Sequence, residues 1–183
     1  MAEAHVSQIT LVRHGRSSHV HTGWLDFDGF LRWREAYERA AILETEIAPR
    51  ELCELAANAK HLVASNAPRA IASAEKLAPG REVLVTPLVR ELELAPPRLG
   101  GRKWPGIVWM LAFGIRGLKP SEEEAERARE AAILLHELQD AVVVTHGAVR
   151  PVIARELVSL GWTNGGGRRS HHWSAWTLTM PAA

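Results

Sequence analysis

An arginine and a histidine stand side by side where an apolar segment near the start of the chain ends. Residues 8–12, Gln-Ile-Thr-Leu-Val, are typical of a short strand, and Arg13, His14 and Gly15 follow them. At the carboxyl end of a strand in an α/β sheet, side chains face the crevice in which such folds bind ligands. There a neutral imidazole can act as a nucleophile, and a neighbouring guanidinium can hold an anion for it.

Further side chains of the same chemical kind follow other predicted strands. Arg69 lies in the first turn of a helix after the strand that ends at Ser65, so a guanidinium and helix amides would face the same anion. His146 precedes Gly147 and so repeats the His-Gly ending of the first strand. Glu91 comes just after the third strand. We therefore expect histidines, arginines and a carboxylate at one edge of a sheet.

Alternating strand and helix patterns predict the scaffold that would bring these side chains together. The β-branched run Val-Val-Val at 142–144 is expected of a central strand covered on both faces. The alternation predicts a three-layer α/β/α sandwich with a mostly parallel central sheet. We expect strands over residues 9–13, 61–65, 82–86, 141–145 and 175–180, and helices over residues 30–46, 49–59, 68–77, 121–138 and 149–160.

The motifs, taken together, resemble those of the histidine phosphatase superfamily, whose members are similar to phosphoglycerate mutase. The resemblance rests on Leu-Val-Arg-His-Gly at 11–15, Ser-x-x-x-Arg-Ala at 65–70 and Val-Thr-His-Gly at 144–147, in the family's order, and with the strand-helix pattern it covers most of the chain. It implies a phosphoglycerate mutase-like fold and a covalent phosphohistidine on His14. It also implies that Arg13, Arg69 and His146 bind the phosphoryl group. Glu91 best matches the family's general acid and base.

Elementary chemistry is consistent with these implied roles. A phosphomonoester carries nearly two negative charges near neutral pH, and arginine forks match its oxygens while staying charged. Nearby cations lower the pKa of a histidine and so favour the neutral form of His14 that can attack phosphorus. Phosphoryl transfer depends mainly on positioning and charge stabilisation. We therefore expect no metal and no other cofactor, since the arginines would do the work of magnesium.

The sequence departs from the family's pattern at two positions. Arg16 stands where a glutamate or glutamine is common, and it is expected either to add a third cation near the phosphate or to face solvent. Val20 stands where an asparagine often holds phosphate, whereas Ser17 retains a hydroxyl that could bind it. Glu93 is a rival to Glu91 for the general acid.

Each proposed site residue also has an ordinary structural interpretation. Arg13 and His14 could form a surface ion pair at a strand end, and His146 could be a hydrogen-bonded structural histidine. Arg69 could be a solvated helix residue, and Glu91 a surface charge. The position of all of them just beyond strand ends favours the functional interpretation.

Other features are interpreted as structural. His19 and His21 form a His-x-His pair that could ligate a metal, but no carboxylate or cysteine cluster accompanies it, so we expect them to line the substrate entrance. The His-His-Trp run at 171–173 is interpreted as a loop-to-strand junction, and the Gly/Arg run at 165–169 as a flexible loop rather than an RNA-binding tract. We expect core or rim packing, with one or two rings available for stacking on a substrate, for the tryptophans at 24, 33, 104 and 109.

Composition limits the classes of protein to consider. The chain has 183 residues, 46% of them hydrophobic and 23% charged, which is ordinary for one soluble domain. The net charge of +1 argues against general binding to nucleic acid or to a membrane surface. Cys53 is the only cysteine, which fits a reducing compartment. The apolar run at 107–113 is far shorter than the about 20 residues that span a bilayer, and we see no signal peptide.

The leading hypothesis is a metal-independent phosphatase that hydrolyses a phosphomonoester through a phosphohistidine on His14. We expect a single domain over residues 1–183, with a small lid-like insertion around 96–120 that selects the substrate. A catalytically silent phospholigand-binding module and a phosphomutase or phosphotransferase are the alternatives. We expect a small phosphorylated substrate, no nucleic-acid or membrane partner and a cytoplasmic location, and we leave the substrate and the oligomeric state open.

Overall fold

A central sheet organises the molecule. The computed structural model describes residues 6–20, 23–93, 98–115, 120–166 and 169–180, and within these ranges the sheet has six strands. A separate two-stranded sheet is formed by β2 and β5. The strands are β1 (Ser7–Arg13), β2 (Trp24–Leu25), β3 (His61–Ser65), β4 (Leu84–Thr86), β5 (Trp104–Pro105), β6 (Asp140–Thr145), β7 (Thr163–Asn164) and β8 (Ala175–Met180).

The order of the central strands is β4-β3-β6-β1-β8-β7. Strands β1, β3, β4 and β6 run parallel to one another, whereas β8 runs antiparallel to β1 and β7 antiparallel to β8. The prediction of a mostly parallel sheet is therefore confirmed. The four parallel strands end at the same edge, which we call the carboxyl edge. Because β8 runs the other way, the segment that precedes it also reaches this edge.

The helices alternate with the strands as the sequence predicts. Helix α3 has the predicted bounds, and a capping box formed by Ser121 and Glu124 begins α5. A short 3₁₀ turn over Pro87–Val89 follows β4. The helices are α1 (Phe27–Arg39), α2 (Arg50–Asn58), α3 (Pro68–Leu77), α4 (Gly106–Ile115), α5 (Glu122–Leu138) and α6 (Arg150–Ser159).

Side chains that alternate along the strands build two separate cores, one on each face of the sheet. On β6, Val143 packs with α5 and α6 on one face, while Val142 and Val144 pack with α2 and α3 on the other. On β1, Leu11 belongs to the same core as Val143, and Val12 belongs to the core on the opposite face. A strand that is apolar on both faces must be covered by helices on both sides. The predicted three-layer α/β/α sandwich is confirmed.

Helix α1 differs from the predicted helix over residues 30–46 at both ends. It begins earlier, at Phe27, because the Asp26 carboxylate caps it by accepting the Gly29 N–H at 2.8 Å. It ends at Arg39 rather than near residue 46. Residues 40–46 instead run beside residues 16–18, with which they exchange backbone hydrogen bonds such as Leu43 N–H to Arg16 O at 2.9 Å. This pairing with a distant segment outweighs the local helical pattern.

Part of the predicted lid-like insertion at 96–120 lies within the described residues. It contains β5, which pairs with β2, and α4, while residues 96–97 and 116–119 lie outside the description. The prediction of one domain with a lid stays a prediction. No helix among the described residues is long and apolar enough to cross a membrane.

Trp109 joins α4 to α1. Its indole is fully buried, stacks on Phe30 with ring centroids 4.6 Å apart, and donates from Nε1 to the Leu25 carbonyl at 3.1 Å. These contacts hold the two helices together at the carboxyl edge of the sheet. Packing of this kind is stabilising because the ring leaves water and its N–H finds a partner.

We predict that Trp109→Ala lowers the free energy of unfolding by about 3–5 kcal/mol, because it leaves a large cavity and removes a buried hydrogen bond. Urea denaturation followed by circular dichroism measures this change. Trp24→Ala is the matched control: its side chain is 66% exposed, so a change of about 0.5 kcal/mol or less is expected. Equal losses for both variants would contradict this account of the packing.

Candidate active site

The register of the sheet brings His14 and His146 next to each other. Arg13 pairs with Thr145 across β1 and β6, and the His14 N–H continues the ladder by donating to the Thr145 carbonyl at 3.0 Å. The two imidazoles meet edge to face with centroids 5.1 Å apart, and both are almost fully buried. The expectation that the two His-Gly endings lie together is thus met by the geometry.

The protonation state of His14 is set by its own backbone. Nδ1 lies 2.7 Å from the Gly15 carbonyl, which can only accept, so Nδ1 carries the proton and Nε2 carries the lone pair. Burial lowers the pKa of His14 well below 6.5, and the charges of Arg69 and Arg13 lower it further. The ring is therefore neutral at ordinary pH. It presents an unprotonated nitrogen that can attack an electrophile.

His146 is held by the end of β3. Its Nε2 lies 2.8 Å from Ser65 Oγ, and this hydroxyl accepts the Ala67 N–H at 3.3 Å. Burial lowers the pKa of His146 well below 6.5, and neighbouring His14 and Arg69 lower it further. The Ser65 hydroxyl can donate to Nε2, and in that tautomer the proton of the neutral ring lies on Nδ1. That Nδ1 is buried and has no hydrogen-bond partner among the described residues.

Arg69 reaches the site from the first turn of α3 and is only 1% exposed. Its guanidinium donates to the Tyr37 carbonyl at 3.2 Å, lies 4.5 Å above the Tyr37 ring, and pairs with Glu38 at 3.2 Å. Arg13 donates to the carbonyl of Ser170. The Nε atoms of both arginines are buried and unpaired within the part of the chain that the structure describes. Buried cations with unused donors can bind an anion.

Glu91 follows the 3₁₀ turn after β4, and its carboxylate lies at the amino-terminal end of α6. Its Oε1 accepts N–H groups from Val149 at 2.9 Å, Ala148 at 3.1 Å and Leu92 at 3.1 Å, while Oε2 has only a 3.3 Å contact with Ala148 N. Burial raises the pKa of Glu91, and this effect outweighs the amides and the charge of Arg13, which lower it. The carboxyl group can therefore hold a proton at higher pH than an ordinary glutamate, with Oε2 the less occupied oxygen.

The remaining predicted positions lie around this group. Ser17 is buried and its hydroxyl accepts the His19 N–H at 3.1 Å. Arg16 is mostly exposed and pairs with Glu46 at 3.0 Å, and Val20 is 63% exposed. Glu93 differs from Glu91, since its side chain is 63% exposed and pairs with Arg90 at 2.9 Å. His19, Arg16, Ser17 and Val20 all line the same cavity.

His172 is a site residue that the sequence analysis missed. The segment before β8 is a loop-to-strand junction, as expected, but it also places His172 against His14, with ring centroids 5.4 Å apart. His172 Nδ1 donates to the His14 carbonyl at 3.1 Å. Burial lowers the pKa of His172, and the charge of Arg13 lowers it further. The sequence analysis could have predicted this position of His172 only if the direction of β8 were known. An antiparallel β8 places the loop before it at the carboxyl edge.

Arg150 is a second residue that the sequence analysis missed, and no sequence motif indicates its role. It is fully buried and donates to the Ser174 carbonyl at 2.7 Å, the Ser174 hydroxyl at 3.0 Å and the Arg169 carbonyl at 3.2 Å. Its guanidinium also lies 4.8 Å above the Trp176 ring. Burial lowers the pKa of Arg150 to about 10, which still leaves it charged at neutral pH. It anchors to α6 the loop that carries His172.

Two cavities meet at the carboxyl edge. One, of 480 Å³, has a polar lining that includes Asn66, Arg90, Glu93 and His146. The other, of 560 Å³, is bordered by Arg13 and His172 and continues along apolar side chains of α1. Glu91 and Glu38 line both cavities.

Among the described residues, the side chains near His19 form no metal site. No group of three or more histidine, cysteine, aspartate or glutamate side chains with metal-binding spacing occurs in the described ranges. His21, the other half of the His-x-His pair, lies outside them. The His19 ring instead lies 5.8 Å from the Trp33 ring.

Comparison with solved structures places the chain in a fold class. It has the phosphoglycerate mutase-like α/β fold that the resemblance to the histidine phosphatase superfamily implied. Mycobacterial hydrolase 2 is similar at TM-score 0.59 and 18% identity, over 97% of this chain and 84% of that one. Mycobacterial hydrolase 1 is similar at TM-score 0.58 and 19% identity, over 96% and 91%.

A mycobacterial glucosyl-3-phosphoglycerate phosphatase, solved with inorganic phosphate, is similar at TM-score 0.52 and 19% identity, over 97% of both chains. No protein-family model and no curated protein matches the sequence. At these identities the similarity establishes the fold.

Gly15 provides space for an indole ring behind the site. A Cβ atom at this position would lie 2.6 Å from Trp173 Cζ2 and 3.1 Å from Glu46 Cγ. The Trp173 Nε1 donates to Glu46 at 2.7 Å, and the other oxygen of Glu46 accepts from Arg16. Glycine is therefore needed here for close packing.

We predict that Gly15→Ala lowers the free energy of unfolding by about 1–3 kcal/mol, because the methyl group displaces the Trp173 ring and strains its hydrogen bond to Glu46. Gly101→Ala is the control, since nothing lies within 4 Å of the added atom, and a change within about 0.5 kcal/mol is expected. Chemical denaturation measures both. A stable Gly15→Ala protein with unchanged tryptophan fluorescence would contradict the packing described.

Proposed function

We propose that this protein is a phosphomonoester hydrolase that transfers the phosphoryl group to Nε2 of His14 and then to water. The single observation that carries the proposal is the state of His14: its Nδ1–H is bound to the Gly15 carbonyl, and its Nε2 is left as a buried nucleophile. The arginines and the second imidazole beside it supply charge and hydrogen-bond donors. The shared fold with a solved phosphatase that holds inorganic phosphate supports the same reaction.

The phosphate would be held by groups that have unused donors. Arg13 and Arg69 supply two positive charges, which match the nearly two negative charges of a phosphomonoester. In the tautomer with its proton on Nδ1, His146 supplies a neutral donor, since this nitrogen has no hydrogen-bond partner among the described residues. Ser17 and Arg16, at the side of the cavity, are proposed as additional contacts. Because most of these groups are buried, their attraction for an anion is weakly screened by water.

The reaction then needs two steps with balanced proton transfers. In the first, His14 Nε2 bonds to phosphorus as the P–O bond to the alcohol breaks, and protonated Glu91 gives its proton to the leaving oxygen. In the second, Glu91 takes a proton from water as the water oxygen bonds to phosphorus and the N–P bond breaks. Inorganic phosphate leaves, and His14 and Glu91 return to their starting states. These steps require no cofactor, and the arginines stabilise the charge on the transferring group.

A catalytically silent phosphate-binding module is the second candidate. The observation in its favour is that two positions of the site depart from the family's pattern: Arg16 is paired with Glu46, and Val20 brings no hydrogen-bond donor to the cavity. A module of this kind binds phosphate or vanadate without repeated turnover. A mutase or phosphotransferase would pass the phosphoryl group to an acceptor other than water. We also propose a small phosphorylated substrate and a cytoplasmic location, the latter supported only by the single cysteine.

We predict that His14→Ala lowers the multiple-turnover hydrolysis of 4-nitrophenyl phosphate, in the presence of chelator, by about three orders of magnitude or more. The nucleophile is removed, while the arginines remain. His61→Ala is the matched control, because His61 is exposed and begins β3 at the opposite edge of the sheet. Equal rates for wild type and His14→Ala would overturn the proposal, and binding without turnover by the wild type would favour the silent module.

We predict that kcat/KM for an alkyl phosphate falls as the pH rises through the raised pKa of Glu91, because the neutral carboxyl group is the proton donor. On the acid side, the lowered pKa of His14 keeps it neutral and active. Glu91→Gln should remove the alkaline limb and lower kcat/KM for the alkyl phosphate by about 10²–10⁴-fold. The loss should be smaller for 4-nitrophenyl phosphate, because nitrophenolate leaves without a proton.

Glu93→Gln is the control for this experiment, and its kcat/KM should stay within about twofold of wild type because the Glu93 side chain is 63% exposed and paired with Arg90. The substrate's own ionisation is common to all variants and cancels in the comparison. If Glu93→Gln lost the alkaline limb and Glu91→Gln kept it, the assignment of the acid would be wrong.

A further inference from the structure

We propose that the substrate's alcohol has a planar, apolar body, and that a row of aromatic side chains on α1 binds it. The row consists of Phe30, Trp33 and Tyr37, and we call it the aromatic row. The inference rests on the proposed function, because it concerns the group that leaves when phosphate is transferred to His14. It narrows the open choice of substrate to one chemical class.

Helical spacing explains how the aromatic row forms. Its residues lie at positions i, i+3 and i+7 of α1 and therefore share one face of the helix. The Phe30 and Trp33 rings stack with centroids 5.8 Å apart, and the Trp33 and Tyr37 rings with centroids 5.3 Å apart. The rings thus form one stack about two helical turns long, whose faces are largely covered by neighbouring rings and whose edges are directed outward.

The aromatic row shares a cavity with the catalytic groups. The 560 Å³ cavity is lined by Arg13, Glu91 and His172 and also by all three rings of the row. Val20, Leu43 and Leu92 complete its apolar lining. Tyr37 connects the two parts, because its ring packs on the Arg69 guanidinium. An alcohol bonded to a phosphoryl group beside His14 can therefore extend directly over the row.

The row is held in place before any ligand binds. Phe30 is 1% exposed and stacks on buried Trp109 at 4.6 Å, so α4 supports the row from behind. Trp33 remains partly exposed on the cavity side. A fixed aromatic surface loses little conformational freedom when a flat ligand packs its face against the ring edges. Each edge-to-face aromatic contact of this kind adds about 2- to 13-fold in affinity beyond the burial of apolar area.

The neighbouring polar cavity has a different lining. It is bordered by the carboxylates of Glu38, Glu91 and Glu93 and by the guanidinium groups of Arg34 and Arg90. An apolar group in this cavity would displace water from charged side chains without replacing their hydrogen bonds. The apolar body of the alcohol therefore fits the cavity along α1 better than this one.

The test compares three alkyl phosphates whose alcohols have similar basicity: methyl, benzyl and 2-naphthylmethyl phosphate. Similar leaving groups ensure that a preference reports binding of the organic part and not chemical reactivity. We expect kcat/KM to rise in that order, by about 10-fold or more from methyl to 2-naphthylmethyl phosphate, because remote binding energy adds to kcat/KM. Equal values of kcat/KM for the three would overturn the inference and leave the proposed function intact.

Substitution of Trp33 tests whether the aromatic row causes the preference for 2-naphthylmethyl phosphate over methyl phosphate. Trp33→Leu should lower kcat/KM for 2-naphthylmethyl phosphate by about 10-fold and leave methyl phosphate within about twofold, and Trp33→Phe should retain most of the preference. Trp24→Leu is the control, because Trp24 is exposed and lies outside the cavity. Equal loss for methyl and 2-naphthylmethyl phosphate in Trp33→Phe would indicate a structural role and would contradict the inference.

A binding measurement separates this inference from the proposed function. Calorimetry with wild-type protein compares 2-naphthylmethylphosphonate with methylphosphonate, neither of which is hydrolysed. Tighter binding of the naphthyl compound by about 10-fold supports the aromatic row even if no phosphate ester turns over, in which case only the proposed function fails. Equal affinity of the two phosphonates would overturn the inference.

Discussion

The hydrogen bond from His14 Nδ1 to the Gly15 carbonyl is the interaction on which the site depends. The bond joins two residues that are neighbours in sequence. It nevertheless forms only because β1 ends beside β6 and the backbone turns back toward the His14 ring. Burial removes water that would otherwise compete for the proton and stabilise a charged imidazolium. The packing of Trp173 against Gly15 then holds the carbonyl in place. Tautomer, pKa and orientation of one ring are thus set by the same few contacts, and none of them requires a ligand to be present.

Two carboxylates balance the positive charge around the site, one near the end of α1 and one in the segment that follows it. Glu38 pairs with buried Arg69, and Glu46 pairs with Arg16. Burial alone would raise the pKa of Glu46, but hydrogen bonds from Arg16 and Trp173 lower it, so this carboxylate stays ionised. Cations gathered for an anion would repel each other without such partners. In the proposed reaction, a phosphate would share Arg69 with Glu38, which would limit affinity for the product as well as for the substrate.

The sequence predicted the scaffold well because its signals are local. The bounds of α3 and the capping box of α5 follow from proline, serine and glutamate at fixed spacings, and the alternation of strands and helices predicts the sandwich. The end of α1 and the short pair of β2 and β5 were missed, since they depend on backbone pairing between distant segments. His172 was missed for the same reason. Its position is decided by the direction of β8, and neither composition nor periodicity records that direction.

The antiparallel position of β8 beside β1 affects when the proposed site forms during folding. Arg13 donates to Ser170, a residue 157 positions away, and His172 touches His14 across a similar separation. Contacts this far apart in sequence form late and slowly compared with local ones, because a long loop must close first. A partly folded or still growing chain would hold the Arg-His-Gly segment without its surroundings. The proposed chemistry at His14 would thus begin only once the whole sheet had closed, so that the proposed activity would report completion of the fold.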